Sequence, residues 1–194
     1  MIPAPSLVIE FLELLQSLSI QFVVGGSFAS SAWGQPRQTY DLDLAVLIDA
    51  DDVPRLHEAT RNDFMGSQEQ MREALESREE FRSFQILHFE ETFKIDLFVL
   101  EANEYVTELF KRARQYELAP NRLFPFTSPE DIVLTKLRWF VLGNRVSDKQ
   151  WNDIVQVLEL QEGQLDHVYL HRWAEFFGVY SLLAEARSQA VKID

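Results

Sequence analysis

The sequence predicts an α/β (α+β) fold, in which strands and helices are mixed up to about residue 104 and a helical portion follows. Two observations indicate it. Short runs rich in β-branched and aromatic residues alternate with amphipathic stretches in the first half of the chain, whereas signals for helix starts dominate after residue 127. The 194 residues include 46% hydrophobic and 25% charged residues, a composition typical of a globular protein.

The sequence contains no cysteine. This excludes a disulfide scaffold, a zinc-thiolate site, an iron–sulfur cluster and a cysteine nucleophile. No apolar run approaches the roughly 20 residues that a membrane span needs, and the first residues do not resemble a secretory signal. We therefore expect a cytoplasmic protein that makes no contact with a membrane.

The first elements are a helix, a strand, a glycine turn and a second helix. Apolar residues at helical spacing predict the first helix over residues 6–18, and a β-rich run predicts the strand over 20–24. Gly25 and Gly26 end this strand, and the small residues after them favour a helix that starts at once.

A strict alternation predicts the next strand over residues 41–48. Leu42 and Leu44 fall on one face of this strand, and Asp41 and Asp43 fall on the other. Because the leucines face a core, the register is fixed and the two acids stay on the opposite face.

Residues 51–60 read as a helix, with acidic residues at the start, where they suit the helix dipole. The polar stretch 66–82 is either a surface helix or a mobile insertion, and we assign no function to it. Two further strands over 84–89 and 93–100, joined by a short turn, predict a hairpin.

The second half of the chain is expected to be helical. Residues 103–114 read as a helix, and 115–127, with its two prolines, reads as an irregular connector. Ser128 then caps a helix that has proline at its first position. Gly143 ends that helix, and three more are expected, with starts at residues 147, 166 and 181 and the last one ending at 191. This order predicts three parts: an α/β domain over 1–104, a helix and connector over 105–127, and a helical C-terminal domain over 128–194.

The net charge is -13. Such an acidic chain is a poor non-specific binder of nucleic-acid backbones, because each phosphate contact needs a cation. The acidic excess is concentrated in residues 1–104, whereas 105–153 is weakly basic, so a polyanion would dock on the latter.

Three aspartates are the candidate metal ligands. Asp41 and Asp43 project from one face of a strand, and Asp96 lies in the middle of a later strand, where aspartate is unfavourable. Like charges held so close require a positive charge between them. Carboxylates without histidine or cysteine nearby suit Mg²⁺ or Mn²⁺ rather than zinc.

The glycine turn is the candidate phosphate-binding element. Gly25 and Gly26, between a strand and a helix, let a ligand approach the backbone and direct N–H groups at an anion, most naturally a phosphate. The hydroxyl of Ser27 adds a donor. Phosphate donors beside a metal-binding carboxylate cluster are the arrangement that phosphoryl or nucleotidyl transfer requires.

Gly25-Gly26-Ser27, the spacer, Asp41-Leu42-Asp43 and the later Asp96 together resemble the nucleotidyltransferase superfamily that includes DNA polymerase β. Further segments are similar to the minimal nucleotidyltransferases of the AbiEii/AbiGii toxin type. These segments are Phe22-Val23-Val24, Arg37-Gln38-Thr39-Tyr40, Ser128-Pro129-Glu130-Asp131 and Lys136-Leu137.

The resemblance implies a nucleotidyltransferase palm with a mixed sheet flanked by helices, followed by the helical portion. It implies that Asp41 and Asp43 bind Mg²⁺ or Mn²⁺, with Asp96 as third metal ligand and general base, and that Lys136 completes the catalytic set. The nucleoside triphosphate would be held by Gly25, Gly26, Ser27, Arg37, Thr39, Lys136 and Asp153. For Arg37 and Thr39, satisfying a turn is an equally open interpretation.

The expected reaction moves a nucleoside monophosphate from a nucleoside triphosphate to an acceptor hydroxyl. An RNA or tRNA end, a protein and a small molecule all stay open as the acceptor. The resemblance also suggests the toxin of a toxin–antitoxin pair, with the antitoxin as partner. The alternative is a catalytically inactive nucleotide-binding or partner-binding module on the same fold.

Overall fold

The structure is a computed structural model that describes residues 4–190. Two expectations fall on residues outside this range: the end of the last helix at residue 191, and the lack of a secretory signal, which concerns the first residues of the chain. The strands are β1 (Gln21–Val24), β2 (Asp41–Leu47), β3 (Phe64–Met65), β4 (Ser83–His88), β5 (Lys94–Val99), β6 (Arg114–Ala119) and β7 (Arg122–Phe126). The helices are α1 (Ser6–Ser17), α2 (Gly26–Trp33), α3 (Asp52–Thr60), α4 (Gln68–Glu76), α5 (Glu104–Arg112), α6 (Pro129–Leu142), α7 (Asp148–Gln161), α8 (His167–Phe176) and α9 (Tyr180–Ala190).

Across residues 4–190 the strands form one seven-stranded sheet in the order β3-β4-β5-β2-β1-β7-β6. Strand β2 runs parallel to β5 and antiparallel to β1, and β1 runs parallel to β7. The predicted α/β (α+β) fold with a mixed sheet flanked by helices is therefore confirmed. Within the same range, no helix has both the length and the hydrophobicity that crossing a membrane requires.

Buried and partly accessible side chains alternate along β2, as the sequence predicts. Leu42, Leu44 and Val46 are completely buried, whereas the residues between them are partly accessible. The register of the parallel pair places Asp43 directly beside Asp96 of β5. Two of the three predicted acids are thus neighbours across the centre of the sheet.

The segment 115–127 differs from the irregular connector that we expect. It forms most of a hairpin, β6 and β7, and Thr127 N–H donates a hydrogen bond to the carbonyl of Val24 in β1 (2.9 Å). Pro125 lies opposite Gln115 in the β6–β7 pair, and on its other side β7 pairs with β1 only at Phe126, so the ladder with β1 does not require an N–H from the proline. The sheet therefore contains strands from both sides of residue 104.

The stretch 66–82 contains a surface helix. Ser67 caps α4 by accepting a hydrogen bond from the N–H of Gln70. After α4, the loop 77–82 reaches the helical part of the molecule, where Glu80 forms an ion pair with Arg138 (Oε1 to Nη2, 2.8 Å). This loop contributes to the cavity described below.

The start of α6 is held by buried polar contacts. Ser128 caps the helix through the N–H of Asp131 (3.1 Å), as predicted. Glu130 and Asp131 are completely buried, and each has a partner on another helix. Arg112 of α5 lies 3.2 Å from Glu130 Oε1, and Tyr169 of α8 donates its hydroxyl to Asp131 Oδ1 (2.6 Å). These contacts fasten α5, α6 and α8 together.

Candidate active site

A cavity of about 370 Å³ lies between the central strands β2 and β5 and the helices α6 and α7. At its polar end it is lined by Gly25, Gly26, Ser27, Arg37, Asp41, Asp43, Lys94, Asp96, Lys136 and Asp153. Every predicted site residue except Thr39 therefore lines this one cavity. Residues that lie far apart in the sequence are brought together because β2, the glycine turn and α6 meet there.

The carboxylate of Asp43 is the centre of the acidic cluster. Burial, followed by the negative charges of Asp41 and Asp96, raises the pKa of Asp43 to about 6. The nearby Lys136 and the backbone N–H of Ser27 oppose this rise without cancelling it. A bound cation would relieve the repulsion among the three acids.

The glycine turn is in direct contact with Asp43. Gly26 has a φ of +49°, a conformation that favours glycine, and a Cβ atom there would lie 1.7 Å from Asp43 Oδ2. The N–H of Gly25 donates to the carbonyl of Asp43 (2.9 Å). Position 26 therefore requires glycine both for its backbone conformation and for the space that Asp43 occupies.

Two cations share one carboxylate beside the turn. Asp153 Oδ2 lies 2.9 Å from Lys136 Nζ and 3.0 Å from Arg37 Nη2, and Arg37 also donates to the hydroxyl of Ser27. Burial alone would raise the pKa of Asp153, but the two cations hold it below its usual value. Because two positive charges face a single negative one, this cluster keeps a net positive charge next to Ser27.

Lys94 is a site residue that the sequence analysis missed. Its Nζ lies 2.6 Å from Asp96 Oδ2, and this hydrogen bond raises the pKa of Lys94, so its side chain stays charged. Asp96 is buried, and its other oxygen, Oδ1, has no hydrogen-bond partner among residues 4–190. The signal for Lys94 was present in the sequence, because residues two apart on a strand project from the same face.

Thr39 does not line the cavity and instead contacts Asp41. Its hydroxyl donates a hydrogen bond to a carboxylate oxygen of Asp41. The structure thus shows Thr39 orienting Asp41, and its contact with a nucleotide stays a prediction.

The three acids do not form a complete metal cage. In the described part of the chain, no group of three or more histidine, aspartate or glutamate side chains is arranged to hold a metal ion. Asp96 instead directs one oxygen at Lys94. Mg²⁺, however, is commonly bound by only one or two carboxylates together with substrate phosphates and water. Asp41 and Asp43, with the unpartnered Oδ1 of Asp96 beside them, fit such a cation in their donor chemistry.

The other end of the cavity is apolar. Phe98 follows Asp96 on the same face of β5, and Phe81 from the loop 77–82 stacks on Trp139 of α6 (ring centroids 4.4 Å apart). A second cavity of about 680 Å³ adjoins this end, and Phe81 lines both cavities. The sequence analysis did not predict this apolar end, because the stacking of Phe81 on Trp139 depends on how the loop 77–82 crosses α6.

Solved structures share this fold. No model of a protein family matches the sequence, and no curated protein matches it. An antigenic nucleotidyltransferase-like protein from Paracoccidioides brasiliensis is 18% identical, with a TM-score of 0.53 over 94% of this chain and 91% of that chain. ANT(2'')-Ia in complex with adenylyl-2''-tobramycin is 14% identical, with a TM-score of 0.59 over 89% of this chain and 95% of that chain. The lincosamide antibiotic adenylyltransferase LnuA, bound to lincomycin, is 12% identical, with a TM-score of 0.52 over 81% of this chain and 98% of that chain.

Proposed function

We propose that this chain, which has the fold of the nucleotidyltransferases, is a metal-dependent nucleotidyltransferase. It would move a nucleoside monophosphate from a nucleoside triphosphate to an acceptor hydroxyl and release diphosphate. One observation carries the proposal: Asp41 and Asp43 share a single cavity with the glycine turn and with the cations Arg37 and Lys136. Carboxylates for a metal and donors for a triphosphate are thus side by side.

Asp41 and Asp43 are the residues that would hold the divalent cation, Mg²⁺ or Mn²⁺. When bound, such a cation lowers the pKa of a hydroxyl and neutralises charge on phosphate oxygens. Thr39 keeps Asp41 in place through its hydroxyl. Gly26 leaves the space in which the Asp43 carboxylate lies.

The triphosphate would lie along the start of α2 and the cationic cluster. The amino end of a helix favours an anion because its dipole points there, and this holds for α2 although the N–H groups of Gly25 and Ser27 already donate to Asp43. Arg37 and Lys136 share Asp153 as their counter-ion and keep one net positive charge beside Ser27. A phosphate would take up this charge and orient the α-phosphorus towards the acids.

In the transfer step, the acceptor oxygen forms a bond to the α-phosphorus, and the bond from that phosphorus to the oxygen bridging to the β-phosphate breaks. The electron pair of the broken bond leaves with the diphosphate. The proton of the acceptor hydroxyl passes to Asp96 Oδ1, the buried oxygen that has no hydrogen-bond partner in the described part of the chain. Asp96 is thus the general base of the proposed reaction.

The apolar end of the cavity favours a small molecule as the acceptor. Phe98 follows Asp96 on the same strand face, so an acceptor whose hydroxyl reaches Asp96 would lie against Phe98 and the Phe81–Trp139 stack. An RNA end would need several cations there. Arg138 at this end is already paired with Glu80, which leaves Lys149 as a further cation in the cavity lining. Two of the similar structures are named for small molecules: one is a complex with adenylyl-2''-tobramycin, and the other is a lincosamide antibiotic adenylyltransferase. The AbiEii/AbiGii grouping, the toxin role and an antitoxin partner rest on the sequence resemblance alone.

One observation favours the alternative, a nucleotide-binding module without catalysis. Lys94 already neutralises Asp96, and the three acids are not gathered into a metal cage in residues 4–190. In that case the protein would bind a triphosphate through Arg37 and Lys136 and would not transfer it.

The test is transfer of label from each of the four α-labelled nucleoside triphosphates, with Mg²⁺ or Mn²⁺, to a small-molecule pool, to RNA and to protein. The controls are Asp43→Asn and, as a matched exposed acid, Asp51→Asn. We expect label in the small-molecule pool with the wild type and with Asp51→Asn, and none with Asp43→Asn. Calorimetry that finds triphosphate binding without any transfer would support the binding module, and label confined to RNA or protein would contradict the small-molecule acceptor.

A further inference from the structure

Lys94 is built into the acidic cluster. It lies opposite Asp41 in the register of β2 and β5, two residues before Asp96 and on the same strand face. Its ammonium group reaches back to Asp96 Oδ2 at 2.6 Å. The side chain of Asp96 is only 8% exposed, and Lys94 is the one cation among residues 4–190 within salt-bridge distance of its carboxylate. No role for Lys94 follows from the reaction as proposed above.

The charges of the cluster indicate what Lys94 does. Asp41, Asp43 and Asp96 together carry three negative charges, and Lys94 cancels one of them, whereas Lys136, which also lies near Asp43, is paired with Asp153. Two remain, which a single divalent cation neutralises. A second divalent cation would have to share Asp96 with an ammonium group at hydrogen-bond distance, and like charges that close are unfavourable.

We infer that Lys94 is the resident counter-ion of Asp96 and limits the nucleotide-free protein to one divalent cation, held by Asp41 and Asp43. Lys94 takes the place of a second metal ion, so a further cation arrives only with the triphosphate, which brings its own negative charge. Asp96 keeps Oδ1 free, whereas Oδ2 stays with Lys94. This inference rests on the proposed function, because it assigns the metal to the same acids.

The test is Mn²⁺ binding without nucleotide, followed by electron paramagnetic resonance and calorimetry on Lys94→Met, Asp96→Asn and the double variant. We expect one Mn²⁺ in the wild type. Removing a positive charge a few ångströms from the metal should tighten binding on the order of tenfold in Lys94→Met. Asp96→Asn leaves Lys94 without its partner and should weaken binding by a similar factor. The double variant restores the net charge of the wild type and should bind Mn²⁺ about as tightly as the wild type.

The double variant separates this inference from the predicted role of Asp96 as a metal ligand. If Asp96 binds the metal directly, the double variant will bind as weakly as Asp96→Asn, and the inference is overturned. Two Mn²⁺ ions in the nucleotide-free wild type, or unchanged or weaker binding in Lys94→Met, overturn it as well. Lys94→Arg keeps the charge and should behave as the wild type, and circular dichroism checks that each variant is folded.

Failure of the proposed function gives a different result. The Asp41→Asn/Asp43→Asn variant should lose Mn²⁺ binding. If it binds as the wild type does, the metal is elsewhere and both the proposed function and the inference fail. If the Asp41→Asn/Asp43→Asn variant loses Mn²⁺ binding, but the Lys94 and Asp96 variants do not show the expected order of Mn²⁺ affinity, only the inference fails.

Discussion

Replacing Asp43 by asparagine should stabilise the metal-free protein while it abolishes transfer. In the folded protein, burial and the charges of Asp41 and Asp96 raise the pKa of Asp43 from 3.8 to about 6. Each unit of pKa shift corresponds to about 1.4 kcal/mol, so ionised Asp43 lowers the free energy of unfolding near pH 7 by up to about 3 kcal/mol. The asparagine side chain carries no charge, and its oxygen can still accept the N–H of Ser27. We therefore expect a gain of about 1–3 kcal/mol at pH 7.

The gain should depend on pH in a definite direction. The folded pKa of Asp43 lies above the unfolded one, so the folded state binds the proton more tightly, and stability is lost as pH rises from about 4 to about 6. Below about pH 4 the carboxyl group is protonated in both states and the advantage of Asp43→Asn should vanish. Urea unfolding in EDTA at half-unit steps from pH 4 to pH 8 measures this difference. Mg²⁺ should then stabilise the wild type and leave the variant unchanged.

The matched control is Asp51→Asn, which neutralises an exposed aspartate whose side chain makes no hydrogen bond in the structure. Its free energy of unfolding should stay within about 0.5 kcal/mol of the wild type at every pH. A variant Asp43→Asn that is less stable than the wild type at pH 7, or whose gain is the same at pH 4 and pH 8, would refute the reasoning.

Two further predictions concern the glycine turn and the cationic cluster. Gly26→Ala should cost about 1–2 kcal/mol of stability and abolish transfer, because alanine is strained at a φ of +49° and its Cβ would displace Asp43. Gly163→Ala is the control, because a Cβ has free space there, and its stability should be close to that of the wild type. Equal unfolding midpoints for the two variants would contradict the predicted cost at Gly26. Asp153→Asn leaves two cations facing each other and should cost about 2–3 kcal/mol at pH 7 in urea unfolding. Since the two cations hold the pKa of Asp153 below 3.8, that cost should shrink only below about pH 4, and a constant cost down to pH 2 would argue against the ion pairs.

Local patterns account for the part of the fold that the sequence predicts. In β2 the alternation of leucine and aspartate specifies both the strand and the face that each side chain takes, and the structure confirms both. The hairpin β6–β7 is missing from the prediction because its signals are weak. Pro125 opposes a central strand, and only the single pairing of Phe126 with β1 makes proline acceptable there. That pairing is a tertiary contact, which the local sequence does not contain.

The site residues likewise fall into those that local sequence patterns predict and those that depend on contacts between distant elements. Asp41, Asp43 and the glycine turn follow from strand periodicity, and Lys94 could have been found by the same rule. The contact of Lys136 with Asp153 joins two different helices, so only the family resemblance pointed to these residues. Phe81 belongs to a polar stretch without periodicity, and its stacking on Trp139 depends on how the loop 77–82 crosses α6.

The short link between β7 and α6 fixes how far the chain can vary in length. Phe126 pairs with Val24, Thr127 donates to the carbonyl of Val24, and Ser128 caps α6, so the cap follows the end of the sheet after a single residue. A residue inserted between Phe126 and Ser128 would break either the pairing with Val24 or the cap of α6, and would thereby move Lys136 relative to the cavity. Insertions in the exposed loop around residue 144 would leave these contacts unchanged. Homologous chains should therefore differ in length at the exposed loops and keep a constant number of residues between the strand residue that pairs with β1 and the residue that caps α6.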